Sequence, residues 1–235
     1  MPVIRKTKWI YDGLAGDEQE ALRAEVNLGA ALAAELHGAT RPANDPTVTP
    51  LLDMLCQRLA SCVSNKQRTF HCEATQDETP NAIALPGGFV FLSHSLVDLC
   101  ERQPDELAFV IGHEMGHIIR RHAWDRMLNE TMSRVATAVG NRAGVPGGWL
   151  RKNGLDVLQS AHSRDRELEA DELGLRLAIA AGFPLGGAIT VLQRIERLGS
   201  DPGVLGAYFA SHPPASERQS RLQLIAQPLS RSSNG

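Results

Sequence analysis

The chain has 235 residues, 43% of them apolar and 22% charged, close to the average for soluble domains. It is long enough to bury a sizeable core as one large domain, or as one domain with a short N-terminal extension. Its net charge of −3, with dispersed Lys and Arg, gives no basic face for nucleic acid. No uncharged apolar run approaches the roughly 20 residues that cross a bilayer, so no membrane-spanning segment is expected.

The start, Met1 to Lys8, is basic but lacks a following apolar stretch and does not read as a secretory signal. The default compartment is cytoplasmic, with the cell envelope open if a leader is missing from this chain. Asp17 to Leu36, rich in Ala, Glu and Leu, predicts a helix ending at Gly38 as C-cap, packed on the body by its Ala/Leu face. A Pro- and Thr-rich linker follows from Thr40 to Pro50, then a second helix from Leu51 to about Ser64. Three short strands are expected at Arg68–Glu73, Ala82–Leu85 and Gly88–Leu92.

A long helix opens after Pro104 with Asp105 and Glu106 in its first turn and continues to about Val139. Gly140 to Gly148, containing Pro146, breaks it and reads as a mobile flap, to which Trp149 and Leu150 give an apolar tip or an ordinary core contact. Helices near 164–181, 184–198 and 214–226 complete the chain before a polar tail. The division expected is 1–50 as N-terminal helical extension and linker, 51–228 as the main domain, and 229–235 as a disordered tail. The four cysteines form no C-x-x-C pair. Cys56 and Cys62 point apart on one helix, so buried reduced thiols are expected, with one long-range disulfide open.

The chemistry concentrates in His113-Glu114-Met115-Gly116-His117. Two histidines four apart on a helix share one face and can bind one metal ion at Zn–N distances of about 2.0–2.1 Å. Glu114, rotated roughly 100° around the helix, is placed to reach a water on that ion rather than to bind it. The apolar run Leu107 to Ile111 leads straight into the motif, so the helix is buried and its His, Glu and His need partners. A third ligand can come from Ser163 to Asp171, where Ser163 is a candidate cap and Glu167 and Asp171 share a face. Glu167 would complete a His2Glu shell, and Asp171 would accept the free ring N–H of a ligating histidine. A solvated acidic helix face, with Glu169 and Glu172 nearby, is the other reading of that segment.

Together these residues resemble the M48 group of zinc metallopeptidases, which includes CAAX prenyl proteases and several envelope and organelle quality-control proteases. The resemblance also covers Asn81-Ala82-Ile83-Ala84-Leu85-Pro86-Gly87-Gly88 and Ser211-His212-Pro213 with Arg218, Arg221 and Leu222, four elements in order over residues 81 to 222. It implies a helix-rich, zincin-like α+β fold whose small three-stranded sheet edges the active-site cleft. By resemblance, His113, His117 and Glu167 match the ligands of one Zn2+ per chain and Glu114 the catalytic base. It also implies that the strand beginning Gly87-Gly88-Phe89-Val90 is an edge strand that pairs with an extended substrate, a hairpin turn being the other reading. His212 is implied to contact the metal, gate the cleft or steady the oxyanion; a loop histidine is equally compatible. The lack of an apolar span sets the chain apart from membrane-embedded members and disfavours a prenyl-peptide substrate within the bilayer.

The expected function is zinc-dependent endopeptidase action on exposed or unfolded polypeptide. The alternative is a zinc-containing, chaperone-like peptide binder with little turnover, against which the intact Glu114 argues. No G-x-S-x-G elbow, phosphate-binding glycine loop or dinucleotide fingerprint supports another hydrolase.

Overall fold

The computed structural model describes residues 17–130, 163–198, 212 and 218–225. Helix α1 (Glu18–Ala39) opens with a capping box. The Asp17 carboxylate accepts from the Glu20 N–H at 2.8 Å, and the Glu20 carboxylate accepts from the Asp17 N–H at 3.3 Å. The helix runs through Gly38, the expected stop, and ends where Thr40 turns extended ahead of Pro42. One glycine costs a helix only about 1 kcal/mol, too little to end it by itself. Helix α2 (Val48–Ser61) begins before the expected Leu51. It takes Pro50 into its first turn, where the missing N–H has no intrahelical partner to lose.

The sheet comprises β1 (His71–Thr75), β2 (Ala82–Leu85) and β3 (Phe89–Ser93) in the order β1-β3-β2, with β3 parallel to β1 and antiparallel to β2. This corrects the expectation that Gly88–Leu92 is an edge open to a peptide. Val90 stands opposite Cys72 on one side and Ala84 on the other, so β3 is the central strand. Its side chains explain why. Val90 and Leu92 enter the main core, while Phe91 faces the opposite side, so the strand is buried on both faces. Gly87 (φ 80) and Gly88 (φ 110) do admit close backbones, but these belong to the chain itself. A side chain on Gly87 would strike Val26 of α1, and one on Gly88 the Thr69 carbonyl.

Ser93 ends β3 and caps α3 (His94–Leu99) by accepting from the Leu96 N–H at 3.1 Å. Helix α4 (Pro104–Ile119) follows, and from Glu106 to Ile118 every residue is buried. The main core joins Leu52, Leu55 and Leu59 of α2 to Leu107, Ile111 and Met115 of α4. On the other face of the sheet, Leu32, Ala33 and Leu36 of α1 meet Leu85, Phe91 and Met127. The expected single helix to about Val139 is interrupted. Arg121 takes a left-handed φ of 60°, and residues 122–130 are helical again. The Arg121 guanidinium pairs with buried Glu25 of α1 at 2.8 Å, which steadies that costly conformation.

Helices α5 (Arg164–Ala180) and α6 (Leu185–Leu198) pack on α4, and residues 218–225 are helical. Ser163 stands at the N-cap of α5 without a side-chain capping bond. The architecture is α+β and helix-rich. Among the described residues, no helix is long and apolar enough to cross a membrane. The segment Gly140–Leu150 and the tail 229–235 lie outside the described residues.

All four cysteines are free thiols, and Cys56 and Cys72 meet across α2 and β1. Burial pushes the Cys100 thiol far up, with the Glu106 charge adding to it. Iodoacetamide near pH 8 should therefore modify half-buried Cys62 well before Cys100, by peptide mass mapping. Equal labelling of the folded protein would contradict this burial.

Candidate metal centre

The site forms where α4 and α5 cross, and small residues make the crossing close. A Cβ on Gly174 would lie 2.6 Å from the His113 nitrogen, one on Gly112 2.8 Å from the Gly174 oxygen, and one on Gly116 2.9 Å from the Ala170 oxygen. Each distance is shorter than a real Cβ contact, so only glycine fits this seam. Side chains one position along then meet across it. His113 and His117 project from α4, Glu167 and Asp171 from α5, and all four are buried.

Three candidate ligand side chains converge. His113 Nε2 lies 3.1 Å from His117 Nε2 and 3.5 Å from Glu167 Oε2, and His117 Nε2 lies 3.2 Å from Glu167 Oε1. A tetrahedral ion with bonds of about 2.0–2.1 Å would separate its ligand atoms by about 3.3 Å. Glu167 Oε1 is buried without a hydrogen bond of good geometry, its near neighbour being His117 Nε2 at 3.2 Å. Buried polar atoms of this kind demand a partner. His212 Nδ1 approaches Glu167 Oε2 at 2.6 Å, and His212 Nε2 stands 3.9 Å from Glu114 Oε1. One ligand atom from each of His113, His117, Glu167 and His212 lies within 4.8 Å of every other. The nitrogen and oxygen donors fit a borderline ion such as Zn2+.

Both ligand-type imidazoles are also held from behind. His113 Nδ1 lies 2.9 Å from Asp171 Oδ1, and Asp171 in turn accepts from Arg218 Nε and Nη2 at 2.8 and 2.7 Å. His117 Nδ1 lies 2.9 Å from His122 Nδ1. Asp171, expected to accept a ring N–H of a ligating histidine, is thus placed against His113. His122 was missed, because its place depends on the left-handed turn at Arg121, which no glycine or proline announces. The available signal was a histidine five residues past the motif.

Burial works against charge on every group here, and partners decide the outcome. Burial and Arg218 oppose a proton on His113, but Asp171 and Glu167 prevail and raise it to about 9. For His117 burial wins, aided by the His113 and His212 charges, and lowers it to about 3, leaving a neutral ring. Glu167 is held well below the usual carboxylate range, because His212 and the hydrogen bonds around it overcome burial. Asp171 is lowered to about 2 against burial, with the Arg218 charge foremost. Glu114 moves the other way. Burial raises it, only partly opposed by His113 and His212.

Two buried histidines one helical turn apart, an intervening glutamate and a carboxylate from a second helix define a metallopeptidase-type centre. The sequence pattern of peptidase family M48 matches residues 46–226, and the chain belongs to that family. It is 28% identical over 186 residues to the mitochondrial metalloendopeptidase OMA1 of Schizosaccharomyces pombe, covering 77% of this chain and 54% of that protein. It is 25% identical over 213 residues to the beta-barrel assembly-enhancing protease of Escherichia coli K12, covering 86% and 42%. It is also 28% identical over 148 residues to the metalloprotease YcaL of the same strain, covering 61% and 57%. The chain spans about half the length of the curated relatives it matches.

Proposed function

We propose that this chain is a zinc-dependent endopeptidase acting on exposed or unfolded polypeptide. The observation that carries the reading is the buried convergence of His113, His117 and Glu167 with Glu114 alongside. His113, His117 and Glu167 would hold one Zn2+. Zinc bound there supplies Lewis acidity to the scissile carbonyl and makes water acidic enough to attack near neutral pH. Glu114 removes the proton from the attacking water and returns it to the departing amine. Asp171, fixed by Arg218, holds His113 in the tautomer that leaves Nε2 free for the ion.

The substrate would add to the free edge of β2 rather than to β3. No other strand among the described residues pairs with β2, which packs on α4. The Ser93 N–H donates to the Asn81 carbonyl at 2.9 Å, so antiparallel alternation turns the Ala82 and Ala84 backbone groups outward. An extended peptide pairs with such an edge by main-chain bonds that do not read sequence.

Casein hydrolysis should disappear on chelation and return with zinc. His113→Ala should weaken zinc retention by at least about 100-fold in elemental analysis of the purified protein. Zinc held at the wild-type level by that variant would remove His113 from the ligand set. A second reading, peptide binding without turnover, draws on His212, which supplies the fourth donor of a closed site. The buried Glu114 has no use in such a binder. Casein captured but left uncut by the zinc-loaded protein would favour that reading.

A further inference from the structure

We propose that His122 is a positioning residue for the metal ligand His117, and that Glu169 anchors it from the surface. The inference rests on His117 Nε2 being a ligand, as proposed above. With Nε2 given to the ion, the remaining proton of the neutral His117 ring sits on Nδ1. That N–H points at His122 Nδ1, 2.9 Å away, which must therefore be the acceptor. A neutral His122 accepting at Nδ1 carries its own proton on Nε2, which lies 3.3 Å from Glu169 Oε2. Each hydrogen bond fixes the tautomer of the next ring, so one carboxylate orients two imidazoles in series.

The backbone is arranged for this contact. Helix α4 stops at Ile119, and Arg121 at φ 60° turns the chain so that residue 122 returns beside His117, its ring 5.0 Å away by centroid and 72° in interplanar angle. Arg166 of α5 donates to the His122 carbonyl at 3.4 Å. The His122 ring is buried, whereas the Glu169 side chain is 55% exposed. The two ligand histidines are thus oriented differently: His113 by the buried Asp171–Arg218 pair, His117 through a second ring ending at solvent.

Zinc affinity, measured by chelator competition, tests the relay without reference to turnover. His122→Leu removes the acceptor and should weaken zinc by about 10–100-fold. His122→Asn places an amide oxygen near the Nδ1 position and should recover most of the loss. Glu169→Ala, at a side chain 55% exposed, should weaken zinc about threefold to tenfold, and Glu169→Gln, which still accepts, should not. The visible absorption of Co2+-loaded protein should shift in His122→Leu and return towards wild type in His122→Asn. The melting temperature of metal-free His122→Asn should match metal-free wild type. Wild-type zinc affinity in His122→Leu, or equal losses in the Leu and Asn variants, would overturn the relay alone. A wild-type protein that takes up no zinc would overturn the metal reading and the relay with it.

Discussion

Glu114→Gln is expected to keep one zinc per chain and its melting temperature while casein hydrolysis falls about a thousandfold, within the range for loss of a general base. That factor corresponds to about 4 kcal/mol of lost transition-state stabilisation. The substitution keeps shape and burial, and Glu114 is not one of the four groups that converge as a donor set. What it loses is basicity. Burial holds the Glu114 carboxyl above its ordinary 4.5, so the proton it takes is bound more firmly than by a surface glutamate. The sign follows: as the proposed base Glu114 must be ionised, so wild-type kcat/KM should fall with decreasing pH as that carboxylate takes a proton. Undiminished turnover by the metal-replete variant would take Glu114 out of the reaction.

Gly174→Ala should destabilise the protein and weaken its zinc, although alanine is the better helix former. Propensity alone would add about 1 kcal/mol. The new Cβ, however, would lie 2.6 Å from the His113 nitrogen and 2.8 Å from the Gly112 carbonyl carbon, both backbone atoms of a helix buried on all sides. Nothing there can rotate away, so the helices must separate, at about 3 kcal/mol for overpacking. The net loss of about 2 kcal/mol should lower the melting temperature by about 4–8 °C in a protein of this size. Separating α4 from α5 also pulls Glu167 from the histidines, so zinc should weaken by at least about tenfold. Gly38→Ala is the control. Its Cβ meets nothing within 4 Å, and melting should rise by about 1–3 °C. A Gly174→Ala protein as stable as wild type would show that the helices are not in close contact there.

Local signals in the sequence described local structure well. The Ala-, Glu- and Leu-rich run from Asp17 announced α1, Pro104 with two acids the start of α4, and the short apolar run Ala82–Leu85 a strand. Glu167 stood out as a partner for the histidines only through the resemblance to family M48, because its i, i+4 pairing with Asp171 reads equally as a solvated acidic face. Strand order was not. Which of two neighbouring strands lies at the edge depends on β1 inserting beside β3, a contact between distant residues that alternation does not encode. The end of α4 was equally hidden. Arg121 adopts φ 60° with its side chain paired to Glu25, far away in sequence, and His122 disappeared from view with it.

Glu25 has a wider consequence. It lies in α1, before residue 46 where the family pattern begins, yet it grips both Arg68 ahead of β1 and Arg121 just before His122. The first helix therefore braces the turn at Arg121, nearly a hundred residues downstream and beside the candidate metal centre. Trimming the chain to its family boundary would leave two buttressed arginines without their counter-charge and loosen the hinge between the motif helix and its continuation.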